Sequence, residues 1–124
     1  MTQPSPIVWF EIPTSDLDRA ITFYSTVLDI PLKREMFGPD PIAIFPREKP
    51  AISGCLLEAK QTHPSPEGVV IYLSCDAKLD GALERTPSAG GKVVEPKAEL
   101  PSGMGYVAHI VDSEGNRIGL HSAV

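Results

Sequence analysis

The sequence predicts one α+β domain in which a single supersecondary unit is used twice. Three observations carry this. Strand, amphipathic helix and three short strands follow one another in the first half of the 124 residues, and the same order recurs in the second. An aspartate stands at the expected start of each helix, Asp16 and then Asp76. A polar stretch, Gln61–Gly68, carries Pro64 and Pro66 between the halves. The first module is expected over residues 7–58, a linker over 59–67 and the second module over 68–123. Neither half, at about 55 residues, covers its own sheet comfortably, so the halves are expected to pack together.

Each element follows from local pattern. Ile7–Ile12 is rich in β-branched and aromatic residues and ends at Pro13, which cannot donate to a ladder. Leu17, Ala20, Ile21, Tyr24 and Leu28 recur every three or four residues as the apolar stripe of a helix, with Asp16 placed to cap it. Pro31 ends that pattern by about Asp29. Strands are expected around 32–36, 42–45 and 53–58, with turns at Gly38–Pro41 and Pro46–Pro50. The pattern restarts with a strand over Val69–Ser74. A helix capped by Asp76 follows, aligning Leu79, Ala82, Leu83 and Thr86. Gly81 weakens that helix by ~1 kcal/mol relative to alanine. Gly90-Gly91 turns the chain into a strand over Lys92–Glu95. Tyr106–Val111 and Arg117–Ser122 form the last pair around Gly115-Asn116.

Composition narrows the function classes. With 42% apolar residues the chain can build a core. Sixteen acidic against eleven Lys and Arg residues give a net charge of -5, which disfavours a nucleic-acid surface. No apolar run approaches the ~20 residues of a membrane-spanning helix, so no membrane partner is expected. Met1–Pro6 has neither the basic region nor the apolar run of a secretory leader. Cys55 and Cys75 lack CxxC spacing and read as reduced, buried thiols in strands; a cytoplasmic location is the expectation. There is no GxSxG elbow and no nucleotide motif, and Gly103-Met104-Gly105 reads as a loop.

Two segments carry a family likeness. The first is F10-E11-I12-P13-T14-S15-D16-L17-D18-R19-A20-I21-T22-F23-Y24-S25-T26-V27-L28-D29-I30, and the second is D112-S113-E114-G115-N116-R117-I118-G119-L120. Together they resemble the glyoxalase, bleomycin-resistance and extradiol-dioxygenase superfamily, the vicinal oxygen chelate proteins. The phrase FEIPTSD is most similar to short lactoylglutathione-lyase-related members. The resemblance implies two βαβββ modules whose sheets join into an open cup, a small-molecule ligand in that cup, and a homodimer. It also implies four metal positions, which fall here on Trp9, Glu58, Val70 and Gly119. One possible ligand in four does not hold a catalytic divalent ion, which takes about three protein ligands. No metal or other cofactor is therefore expected.

Strand alternation sets the candidate residues. Glu11 shares a face with Trp9, opposite Val8, Phe10 and Ile12. A carboxylate in that strand is a candidate base or an anchor for a ligand amine or hydroxyl. Trp9 offers a stacking wall. Val70, Tyr72 and Ser74 share a face, and Tyr72 has a hydroxyl to donate. Of the three histidines, His63 lies in the linker and His109 stands one step off the face of Tyr106, Ala108 and Ile110. His121 shares a face with Gly119, and is expected near Glu11 as the partner of an acid–base pair. The primary expectation is a metal-independent protein binding a small organic molecule through Trp9, Glu11, Glu58, Val70, Tyr72, Gly119 and His121. The alternative is a lyase, isomerase or hydrolase using Glu11, with His121 or Tyr72 as acid.

Overall fold

The computed structural model describes residues 5–76 and 78–124, so the reading of Met1–Pro6 falls largely outside it. The first module runs β1 (Trp9–Pro13), α1 (Leu17–Val27), β2 (Lys33–Phe37), β3 (Asp40–Ile44) and β4 (Ser53–Leu57). The second runs β5 (Tyr72–Ser74), α2 (Leu79–Arg85), β6 (Lys92–Glu99), β7 (Tyr106–Val111) and β8 (Arg117–Ser122). Each module folds its strands into a four-stranded mixed sheet, ordered β1-β4-β3-β2 and β5-β8-β7-β6. In each sheet the first strand runs parallel to the last, and the other neighbours are antiparallel. Among the described residues no ladder joins the two four-stranded sheets. What unites them is one apolar core containing Ile12, Tyr24 and Leu56 of the first module with Leu79, Ile110 and Leu120 of the second.

The first helix begins as its sequence predicts. Asp16 has an extended backbone and accepts from the Arg19 amide at 3.0 Å. The apolar stripe is wider than the periodicity of one face. Phe23 and Val27 are fully buried with Leu17, Ala20 and Tyr24, whereas Ile21 and Leu28 are only half-buried. The reason is tertiary: the second module presses on the same helix. A Cβ on Gly91 would lie 2.5 Å from Cε1 of Phe23, so only glycine lets that ring approach. Arg85 of α2 reaches the other end of α1 and donates to the Thr26 and Val27 carbonyls at 2.9 and 2.8 Å, satisfying acceptors that a helix leaves orphaned.

The second module departs from expectation at three places. Asp76 does not cap α2: its φ is +53°, and the helix starts at Leu79 after Lys78, which makes no side-chain cap bond. Aspartate tolerates the left-handed region, and here the chain turns there before the helix can start. The strand expected over Val69–Ser74 forms only at Tyr72–Ser74, and Val69 is 91% exposed. The strand expected to stop at Glu95 runs on to Glu99, but with breaks in register on either side of Glu95. Pro96 lies in that stretch and has no amide to donate, a fault tolerated because β6 is an edge strand.

The turn between β7 and β8 locks the modules together. Asp112 accepts from the Glu114 and Asn116 amides through Oδ1, and Oδ2 accepts the Tyr24 hydroxyl at 2.5 Å. Asn116 donates from Nδ2 to the Pro13 carbonyl at 2.7 Å. Glu114 Oε1 accepts both the Ser15 and Asp16 amides at 2.8 Å, and Arg19 donates to both carboxylate oxygens, at 2.7 and 3.0 Å. The Glu114 side chain has no exposure to solvent. Its burial would raise its pKa, but Arg19, the Asp16 amide, the Ser113 hydroxyl and the Ser15 amide outweigh that and hold it at about 2. The Glu114→Gln substitution is expected to destabilise the fold by about 1.5–3 kcal/mol, the range for hydrogen bonds to a charged group, measurable by urea unfolding at pH 7. The depressed pKa also sets a sign. The carboxylate's stabilisation is complete above its ordinary 4.5 and is lost as pH falls towards 2. Urea midpoints taken down this range should fall more steeply for the native chain than for Glu114→Gln.

Candidate functional site on the open face of the first sheet

Alternation along β1 turns Phe10 and Ile12 towards the helices and Trp9 and Glu11 the other way. Glu11 lies opposite Cys55 of β4, and Cys55 lies opposite Ile44 of β3. Ile42 and Leu57 complete a small apolar floor with Cys55. Above it is a cavity of about 600 Å³, lined by Trp9, Glu11, Glu35, Met36, Phe37, Ile42 and Ile44. Its residues all belong to the first module. Its wall is apolar and aromatic, broken by two carboxylates. Trp9, Met36 and Phe37 remain 40%, 64% and 58% exposed, an unusual cost for large apolar groups on one patch.

Glu11 is exposed rather than buried. Its charge still acts locally. The Cys55 thiol is pushed up to about 11, first by burial and then by Glu11. Cys75, also buried, is raised to about 11, chiefly by burial. Both sulfurs are protonated at neutral pH and are poor nucleophiles.

The other sequence candidates separate. Glu58 is spent on the helix: its Oε1 accepts the Leu17 amide at 2.7 Å. Val70 lines a second cavity, about 760 Å³, which lies between the modules and is bordered by Phe10, Val27, Phe45, Leu73 and Arg85. His121 lies opposite Ser74 and Val107 on the second sheet, and its Nε2 donates to the Met104 carbonyl at 2.7 Å. No hydrogen bond or ion pair joins it to Glu11 among the described residues. Tyr72 lies across Gly119 on the neighbouring strand and meets His109 on the next, with Oη 2.6 Å from Nε2. A Cβ on Gly119 would fall 2.3 Å from Cδ2 of Tyr72. Sequence reasoning missed His109 and Arg117. The signal was present in parity: Tyr72, Gly119 and His109 share one rung of three strands.

The four positions that the family resemblance assigns to metal ligands do not fit a divalent ion here. Trp9 and Val70 have no suitable donor, Glu58 caps α1, and Tyr72 covers the space a side chain at 119 would need. Among the described residues no group of three or more His, Cys, Asp or Glu side chains is arranged to hold a metal ion. No helix among them is long and apolar enough to cross a membrane.

Comparison with known proteins agrees with this architecture. A glyoxalase/bleomycin resistance protein/dioxygenase domain from a Frankia species is 19% identical and superposes with a TM-score of 0.70, over 98% of this chain and 93% of that one. A glyoxalase/bleomycin resistance protein from Albidiferax ferrireducens gives 17% identity and a TM-score of 0.70, over 95% and 99% of the two chains. An antibiotic-binding protein from a Streptomyces species gives 20% and 0.66, over 98% of each chain. No curated protein matches the sequence significantly. The family model for the Glyoxalase/Bleomycin resistance protein/Dioxygenase superfamily matches residues 6–120, and with its paired βαβββ modules the chain belongs to that superfamily.

Proposed function

We propose that this chain is a metal-independent binding protein for a small, partly apolar organic molecule, held on the open face of the first sheet. The observation that carries this is the cavity of about 600 Å³ in which Trp9, Phe37, Met36, Ile42 and Ile44 surround only two polar groups, Glu11 and Glu35. Small-molecule sites have this size and composition, with a few polar groups fixing orientation. Two carboxylates favour a ligand with an ammonium or hydroxyl donor. The antibiotic-binding protein of the same fold supports small-molecule binding as a use of the architecture. The phrase FEIPTSD supports a kinship with the short lactoylglutathione-lyase-related members of the superfamily, and free cysteines support a cytoplasmic location. Glu11 on the same wall favours a second reading, acid–base chemistry on the bound molecule by a lyase, isomerase or hydrolase.

The exposed apolar wall and the first-module-only lining of the cavity also support a homodimer, in which a second copy covers this face.

Trp9 is the only tryptophan, so its fluorescence reports on the cavity directly. Titration with benzylamine should give a saturable change, and Glu11→Gln should weaken it by roughly tenfold, as expected for one charge-assisted hydrogen bond. A linear, unsaturated response in the native chain would count against the cavity as a ligand site. Light scattering on the eluting peak of a sizing column should give twice the chain mass of 13.4 kDa at micromolar concentration. A value that stays at the chain mass on concentration would rule the dimer out.

A further inference from the structure

The open face of the second sheet carries a polar chain that plays no part in the first cavity. Arg117 on β8 donates from Nε to Nδ1 of His109 at 3.0 Å, and Nε2 of the same ring lies 2.6 Å from the Tyr72 hydroxyl. Glu95, itself well exposed, stands with Oε1 3.6 Å from Nη2 of the same guanidinium. Tyr72 and His109 also meet edge to face, with ring centres 5.3 Å apart. The arrangement depends on Gly119. Without a side chain there, the Tyr72 ring crosses β8 and reaches β7.

The chemistry of the donors fixes the direction of the chain. A guanidinium has no acceptor, so Nδ1 of His109 must present its lone pair to Arg117. The proton of a neutral ring then sits on Nε2 and points at the Tyr72 oxygen. Tyr72 accepts that bond, so its own proton is free to point away from the ring. Tyr72 is 49% exposed, and the Arg117 side chain is 35% exposed on the same face. We propose that Arg117 and His109 are positioning residues that hold Tyr72 as a preset hydrogen-bond donor, forming a subsite for an anionic oxygen of a small organic molecule. The guanidinium supplies positive charge one imidazole away. The subsite is independent of the cavity beside Trp9, and its test reads different residues.

The test has two arms on the full chain. Long-range proton–nitrogen NMR of the ¹⁵N-labelled protein should show His109 with Nε2 protonated and Nδ1 bare, assigned by the signal lost in His109→Gln. His63 is exposed and serves as the unconstrained reference. Arg117→Met should return His109 to a tautomer mixture like that of His63. A native ring protonated on Nδ1, or one whose tautomer is unchanged in Arg117→Met, overturns the positioning role. In the second arm benzoate should shift the Tyr72 and His109 ring signals saturably, and benzyl alcohol should bind more weakly. Tyr72→Phe removes one oxygen and should weaken benzoate by about five- to tenfold, the size of one hydrogen bond. Equal binding of benzoate and benzyl alcohol, no saturable shift, or undiminished binding in Tyr72→Phe overturns the subsite.

Discussion

The fold turns on one buried carboxylate. Glu114 sits in the last turn of the chain, yet its oxygens close the first turn of the first helix and bind Arg19 on that helix. Helix N-termini carry partial positive charge and unsatisfied amides, so a carboxylate there is stabilised by charge and by hydrogen bonding together. Asp16 and Glu58 serve the same terminus, at the Arg19 and Leu17 amides. Three carboxylates from three parts of the sequence therefore fix where α1 begins. Asp112 and Asn116 extend the lock to Tyr24 and to the end of β1. With no ladder between the sheets among the described residues, this turn, Arg85 at the far end of α1 and the shared core hold the modules together.

That economy leaves the outer faces of the sheets free of structural duty. The buried sides of both sheets are committed to the helices. The open side of the first sheet keeps large apolar groups partly in water, around two carboxylates. The open side of the second carries a hydrogen-bonded series from Tyr72 to Glu95. The two faces offer opposite chemistry, one suited to a cationic or donor group and the other to an anionic oxygen.

Glycine decides more here than its place in a sequence suggests. Gly91 and Gly119 both have another ring where their side chain would be, Phe23 in one case and Tyr72 in the other. The first closes the packing between modules. The second builds the polar chain on the open face and closes a position that metal-using relatives need. A glycine in a strand reads from sequence as a weakness or a bend. Its meaning as space for a partner needs the partner's location, and Tyr72 is 47 residues away from Gly119 in the chain.

The sequence by itself determined the elements and their repetition. Period-two and period-four patterns, the Asp16 cap and the breaking prolines are local properties, and local properties are what a linear chain records. It also recorded which residue types stand at the four positions that the family resemblance assigns to metal ligands. Tertiary structure decided the rest. It gave Phe23 and Val27 to the core because a second module covers α1. It turned Glu58 from a candidate ligand into a helix cap, and Glu114 from an ordinary turn residue into the anchor of that same helix. It placed His109 beside Tyr72 and Arg117 beside His109 through strand register, and gave His121 the Met104 carbonyl as its partner. In each case the deciding contact joins residues far apart in sequence, and the free energy of a polar side chain depends on the partner it meets there.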